Sequence, residues 1–554
     1  MAASRVLIVT GGLLTPEDTN LITALEKQIA ALRGSSAVWL DLQIKLHAAE
    51  RLLAGEQHRR TRGFRSAPYR DVVQRFYART ASTDTPELTE VVLMTLLERE
   101  GLAFEHATYA QLFADRERRE ALLERCDVVF ASTTLLHDRA EMEPMLAMLK
   151  RPHNRVIAGG ALASLLHPTW DGSPSLDLLA VGYGELLVPS LAAWIRGGFG
   201  ELSPPPTGRV ELRGRTPVLF SGVPKERDLD VLPEADWSIA ARAHGRTFRN
   251  VHYESVRGCP YRCSFCNYPY LFDDTKFRFK SAARIDADWA RLEAQGAEYV
   301  TCLDSLFTMP RRRLRELCKR LVARGSKLRW ICYARADDLA DRETTERMRD
   351  AGCHQVQIGL ESGSDEVLRN MNKACDAETN RRALEVCREV GLTSLVTVIV
   401  GFPGDTPARV DETYELLRAA PPDVFYVAPF STWVEGVPIL REESKQKHGL
   451  VTLSGVQSPA PYWEHTTMSC TEVMHESRRL NRKLMENRVA LEGFLFYQGL
   501  LDYDRRDRDA LLDFQRDVAT QHPVLRAIVD GLDALVHRGL VRDVEVRLGR
   551  ARAA

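Results

Sequence analysis

No uninterrupted apolar run in the 554-residue chain approaches the roughly 18–20 residues of a membrane span. Charge of one sign is also missing in excess. The 75 Lys and Arg nearly balance the 76 Asp and Glu, a formal net charge of -1. No bulk electrostatic pull toward nucleic acid or a membrane surface is therefore expected. Internal repeats and low-complexity tracts are absent. A disulfide framework is not indicated either, because the eleven cysteines are odd in number and scattered through a long chain. The opening "MAASRVLIVTGG" reads as a first strand and not as a signal peptide, so a reducing cytoplasm is the expected location.

What is present reads as globular and multidomain: 44% hydrophobic and 27% charged residues, in a chain too long for one hydrophobic core. Through the first two hundred residues, short apolar runs alternate with amphipathic stretches. The runs "RVLIVTGG", "AFEHATY", "DVVFAST", "RVIAGGA" and "LLAVGYGE" mostly end in Gly, Ser or Thr. This α/β alternation predicts a doubly wound, Rossmann-like parallel sheet over 1–196, interrupted by a helical insertion at 33–84. Residues 197–250, rich in Pro, Gly and charge, read as a linker with one hairpin around "GRVELRGRTPVLF". From 251 to 445 six further strand–helix units predict a partial (β/α)6 barrel of TIM type, with chemistry at the carboxyl ends of its strands. The remainder, 446–554, is expected to be a helical C-terminal region, with "VALEGFLFYQGLLDY" its most apolar segment.

The stretch "RGCPYRCSFCNYP" sets Cys259, Cys263 and Cys266 just after the first barrel strand. Soft thiolates select zinc, copper(I) or iron–sulfur clusters. Structural zinc wants four closed ligands, and no second Cys-x-x-Cys pair exists; His252 is the one nearby candidate for a fourth. A 4Fe–4S cluster held by three thiolates would instead leave one iron open to another ligand.

Cys259-x-x-x-Cys263-x-x-Cys266, with Phe265 before the last cysteine, resembles the signature of the radical S-adenosylmethionine (SAM) superfamily. The resemblance covers 251 to about 440. It implies a 4Fe–4S cluster whose open iron chelates SAM and whose electron releases a 5′-deoxyadenosyl radical. It also implies SAM contacts at Phe265, at Asp304 and Ser305 in "TCLDS", at Arg335 in "YARADDL", at Glu361 in "IGLESGS", and at Gly401 in "VIVGFPGDT". An external donor of the flavodoxin or ferredoxin type would supply the electron.

In an open parallel sheet, ligands bind at the carboxyl ends of the strands. There the sequence offers Gly11, Gly12, Thr133, Gly159, Gly160, Gly182, Gly184 and Glu185. Beside the three cysteines, "VIAGGALAS" followed by "LLAVGYGE" is similar to the cobalamin-binding domains that precede radical SAM domains in the B12-dependent class. One departure matters: no histidine has an aspartate two residues before it, so the Asp-x-His-x-x-Gly source of a lower cobalt ligand is missing. Arg65 and Arg70 in the insertion are candidates to cover that lower face, or to meet the corrin carboxamides.

The pairing of cofactors implies a cobalamin-dependent radical SAM methyltransferase. It would move a methyl group from SAM, through methylcobalamin, to a carbon of a natural-product, amino-acid or peptide precursor. Three alternatives stay open: polar methylation of an indole, as in the tryptophan C2-methylase branch; radical ring contraction or rearrangement; and a non-catalytic cobalamin or Fe–S sensor. His465, in "PYWEHTTM", is a candidate proton-transfer group. Tyr462, Trp463, Phe494, Phe496, Tyr497 and Tyr503 line either a cavity for a flat substrate or the core of the terminal helices. A monomer without nucleic-acid or membrane partners is expected.

Overall fold

The computed structural model describes residues 5–11, 85–136, 138–224, 229–272, 274–432, 436–453, 462–493 and 503–520, with scattered positions between 524 and 542. Gly12, Arg65, Arg70, the whole 33–84 insertion, Phe494, Phe496 and Tyr497 lie outside the described residues.

The first layer is a seven-stranded sheet of β1 (Arg5–Thr10), β2 (Ala103–Thr108), β3 (Val128–Ser132), β4 (Arg155–Gly159), β5 (Leu178–Val181), β6 (Arg209–Arg213) and β7 (Thr216–Phe220). Their spatial order is β2-β1-β3-β4-β5-β7-β6, parallel throughout except for β6. The interior positions of the central strands are apolar in succession because both faces are covered. On β1 and β3, Val6, Ile8, Val128 and Phe130 pack into one core, and Leu7, Val9, Val129 and Ala131 into the other. The expected doubly wound sheet is present.

The hairpin expected within a linker is not a linker feature. β7 pairs in parallel with β5, so residues 209–220 extend the first sheet, and a boundary at 196 cuts through it. An apolar, buried "TPVLF" had a vacant sheet edge to complete.

The second layer holds seven parallel strands in the order β18-β15-β14-β13-β12-β11-β8. They are β8 (Asn250–Tyr253), β11 (Tyr299–Cys302), β12 (Arg329–Ala334), β13 (Cys353–Glu361), β14 (Thr393–Val400), β15 (Val424–Pro429) and the two-residue β18 (Leu491–Glu492). Helices follow β11 to β15, so the partial barrel is as expected, with one short strand more. That strand comes from "VALEG", expected to be helical: Leu491 and Glu492 pair with Val424 and Phe425 on the open edge of β15. Two small ribbons complete the set: β9 (Val256–Arg257) with β10 (Arg278–Phe279), and β16 (Val451–Leu453) with β17 (Tyr462–Glu464). The C-terminal region otherwise presents helices at Cys470–Glu486 and Arg508–Thr520. Among the described residues no helix is long and apolar enough to cross a membrane.

Candidate active site

The three cysteines occupy the loop that leaves β9. Gly258 opens it at φ 72°, and a Cβ there would lie 2.4 Å from the carbonyl oxygen of Lys276, so only glycine fits. Backbone from distant parts of the barrel holds the loop. Ser264 N–H donates to the Met371 carbonyl (2.9 Å) and its hydroxyl to that of Asn370 (3.0 Å). Asn372 donates to the Arg262 carbonyl (2.8 Å), and Ile439 N–H to that of Ser264 (2.8 Å).

Cys259, Cys263 and Cys266 are all half-buried free thiols. Burial pushes each thiol up, Cys266 to about 12, so a metal would have to displace the protons. Three soft thiolates on one loop are the donor set of a 4Fe–4S cluster that keeps one iron open to another ligand. His252, the alternative fourth ligand, is engaged elsewhere: it hydrogen-bonds the Pro86 backbone and meets Trp237 edge-on at 6.3 Å, and burial pushes it down to about 4.

The residues expected around SAM divide into two groups. Phe265, Arg335 and Glu361 gather beside the cysteines. Phe265 is half-buried and packs edge-on against Phe402 at 6.3 Å. Arg335 lies 3.8 Å over the ring of Tyr261, within the cysteine loop, and donates to the carbonyls of Lys373 and Ala374. Glu361, at φ 64°, pairs with Lys373 Nζ at 2.7 Å.

Asp304 has a different task. It is fully buried, and its carboxylate accepts from Ser255 N–H (2.6 Å), Val256 N–H and Ser255 Oγ (2.7 Å). It clamps the chain entering β9 and presents no exposed oxygen to a ligand. Arg313, buried beside it, donates to the Ser255 and Phe307 carbonyls. Ser305 donates to the Gly258 carbonyl at 3.0 Å. Gly401 is likewise closed in: its N–H donates to Asp405, and a Cβ would lie 1.8 Å from Val473.

Sequence reasoning missed Lys373. It is buried, 5.7 Å from the Phe265 ring, and its charge acts on Cys263. Its neighbours Asn372 and Ala374 both sit at positive φ, 52° and 50°. Three non-glycine residues in this conformation within one pocket, counting Glu361, mark a backbone held in place by its surroundings. A lysine in a polar turn gives no such signal in sequence.

On the first sheet, Gly11, Thr133, Gly160 and Gly182 follow β1, β3, β4 and β5, while Gly159 ends β4. They line the carboxyl edge, and Gly11 and Thr133 stand where the strand order reverses about β1. Thr133 is fully buried, its hydroxyl donating to the Gly159 carbonyl (3.0 Å) and accepting from Ala163 N–H (3.0 Å). Gly184 starts the helix Gly184–Arg196 and has open space where a Cβ would stand.

Glu185 departs from expectation. Instead of facing the crevice, it forms a buried two-point ion pair with Arg257, at 2.6 and 3.0 Å, two residues before Cys259. Arg257 holds Glu185 below the usual carboxylate range despite its burial. The guanidinium is flanked by Tyr183 (5.1 Å) and Phe272 (5.0 Å), and Tyr183 donates to Asp274. Farther along, a Cβ on Gly436, just before Ile439, would lie 2.6 Å from Leu165, in the helix after β4. The carboxyl edge of the first sheet and the cysteine loop thus stand directly against each other.

His465 has no free nitrogen for proton transfer. Nε2 donates to the Gly401 carbonyl (3.0 Å), and Nδ1 accepts from Thr467 and Met468 N–H. Trp463 stacks on it at 5.4 Å and Phe430 packs edge-on against Trp463, so the described aromatics here are core. Tyr503 donates to Asp423, and Tyr462 to Glu464.

Residues 253–417 match the family described as the Radical SAM superfamily. The chain carries a radical SAM domain. Beyond it, the fold is similar to that of the radical S-adenosylmethionine methyltransferase TsrM from Kitasatospora setae, solved with cobalamin and a 4Fe–4S cluster bound. That likeness has TM-score 0.55 and 16% identity, over 82% of this chain and 97% of the other. It is similar as well to the cobalamin-dependent S-adenosylmethionine radical enzyme OxsB, solved with aqua-cobalamin and S-adenosylmethionine bound (TM-score 0.55, 16% identity, 84% and 78% covered). Both likenesses are of fold. Among curated relatives, the anaerobic magnesium-protoporphyrin IX monomethyl ester cyclase of Cereibacter sphaeroides is 26% identical over 53% of this chain. The chain spans only 49% of that protein's length.

Proposed function

We propose that the protein is a cobalamin-dependent radical SAM methyltransferase acting on a carbon of an amino-acid, peptide or natural-product precursor. One observation carries the reading. The carboxyl edge of the first sheet, where such a fold takes its ligand, is bolted to the cysteine loop through Glu185 and Arg257. Two crevices that meet in one chain allow a group to pass between two cofactors without crossing solvent.

The residues divide the work. Cys259, Cys263 and Cys266 would hold the cluster, and the mutual fixing of Ser264, Met371 and Ile439 keeps the loop from opening. Phe265 offers an aromatic face to an adenine, and Arg335 and Lys373 bring positive charge to a carboxylate ligand beside the cysteines. Gly11, Gly160, Gly182 and Gly184 let backbone approach a corrin closely; Thr133, buried behind them, braces the β3 and β4 ends. When bound, these cofactors supply a one-electron route to a substrate radical and a transferable methyl group.

A second reading, radical ring closure or rearrangement without methyl transfer, is favoured by the similarity to the cyclase. Anaerobic incubation with SAM, reductant and candidate substrates separates the two. S-adenosylhomocysteine with 5′-deoxyadenosine supports radical methylation, and deoxyadenosine alone supports rearrangement. S-adenosylhomocysteine alone indicates polar methyl transfer. Cys263→Ala should abolish SAM cleavage and leave cobalamin binding intact; full turnover by that variant would refute the cluster assignment.

A further inference from the structure

Away from the cysteines, three side chains from distant parts of the sequence converge at the β2 edge of the first sheet. Glu90 comes from the helix Leu88–Arg99, His106 from β2, and His244 from the end of the helix Trp237–His244. One ligand atom of each lies within 4.8 Å of the other two, the only such His, Cys and carboxylate set among the described residues. Glu90 Oε1 is 2.7 Å from His244 Nε2 and 3.5 Å from His106 Nδ1. Bonds of about 2.0–2.1 Å to one tetrahedral ion would set such atoms roughly 3.3 Å apart, between these two values.

The surroundings orient the three donors as metal sites do. The second carboxylate oxygen of Glu90 accepts from Thr10 Oγ1 at 2.9 Å. His106 hydrogen-bonds the backbone of Ala243, which holds its ring against its neighbour. The imidazoles approach to 4.3 Å between centroids, and Phe248 packs edge-on against His244 at 5.6 Å. Glu90 is buried, whereas His106 and His244 remain 23% and 21% exposed. Solvent therefore reaches both imidazoles.

We propose that Glu90, His106 and His244 bind one divalent transition-metal ion of the zinc class, tying the first sheet to the helix that leads into the barrel. Two imidazoles and a carboxylate suit a borderline cation, and their oxygen and nitrogen donors distinguish this site from the three thiols. The helix carrying His244 ends six residues before β8, so an ion here would also set the approach of the barrel to the sheet.

Cobalt(II) titration of the full-length protein tests this. The background is Cys259→Ser/Cys263→Ser/Cys266→Ser, which removes competing thiolates. One cobalt per chain is expected, with the comparatively intense visible d–d bands of a four-coordinate nitrogen–oxygen site and no sulfur-to-metal charge transfer. His244→Gln and His106→Gln should each weaken binding by about a hundredfold or more, and Thr10→Val by about tenfold. Thr10→Val alters only the hydroxyl behind Glu90, so it remains informative if a histidine variant fails to fold. Absence of cobalt binding in the triple-serine protein, or binding unchanged in all three variants, overturns the proposal.

Discussion

At the residue scale, the pocket beside the cysteines depends on charges that have no water to fall back on. Lys373 and Glu361 are both buried and paired at 2.7 Å. Glu361→Gln should therefore cost about 3–5 kcal/mol in urea unfolding, because it strands the ammonium. Glu361→Leu/Lys373→Met should cost clearly less. Gly359 makes room for this pair: a Cβ would lie 2.4 Å from Glu361 Oε1 and 3.0 Å from Lys373 Nζ. His465 supplies a pH dependence. Burial is the main cause that holds its ring below the ordinary imidazole value of 6.5, so the folded protein keeps it neutral where the unfolded chain is protonated. Its contribution is present in full above pH 6.5 and is lost as pH falls from there through the lowered folded value. Thermal midpoints of His465→Gln should fall less steeply on acidification than those of the wild type. Equal slopes would show that another group sets the acid limb.

At the element scale, the entry to the cysteine loop hangs on Asp304. Asp304→Ala leaves the buried N–H groups of Ser255 and Val256 without their acceptor, at about 1–3 kcal/mol each. Stability and retained iron should fall together. Ser305→Ala, which removes one hydrogen bond to Gly258, should cost about 1 kcal/mol and leave iron content unchanged. These two residues also show what sequence conveys. The strands were legible because apolar runs ending in Gly, Ser or Thr are local, and the cysteine motif is local too. The orientation of Asp304 was not legible, since its partners lie 48 and 49 residues away. For the same reason the hairpin 209–220 read as a linker: only the vacant edge of β5 makes it part of a sheet. Lys373, Glu185 with Arg257, and both nitrogens of His465 likewise take their meaning from partners remote in the chain.

At the scale of the whole molecule, the two layers act as one device only if their carboxyl edges stay together. The Glu185–Arg257 pair is the buried bolt, and Glu185→Ala should cost about 1–3 kcal/mol by taking the buried acceptor from two guanidinium N–H groups, while Glu254 at 2.9 Å still pairs with Arg257. Passage of a methyl group between the crevices should then fall further than retention of either cofactor. The most direct measurement uses SAM labelled in its methyl group, mixed anaerobically with the protein carrying its cluster and reduced cobalamin, with no substrate added. Label is expected in the recovered corrinoid together with S-adenosylhomocysteine, with a marked loss of both in Glu185→Ala. A protein that retains the cluster and cleaves SAM, yet leaves the corrinoid unlabelled or never holds it, would contradict methyl transfer through cobalamin.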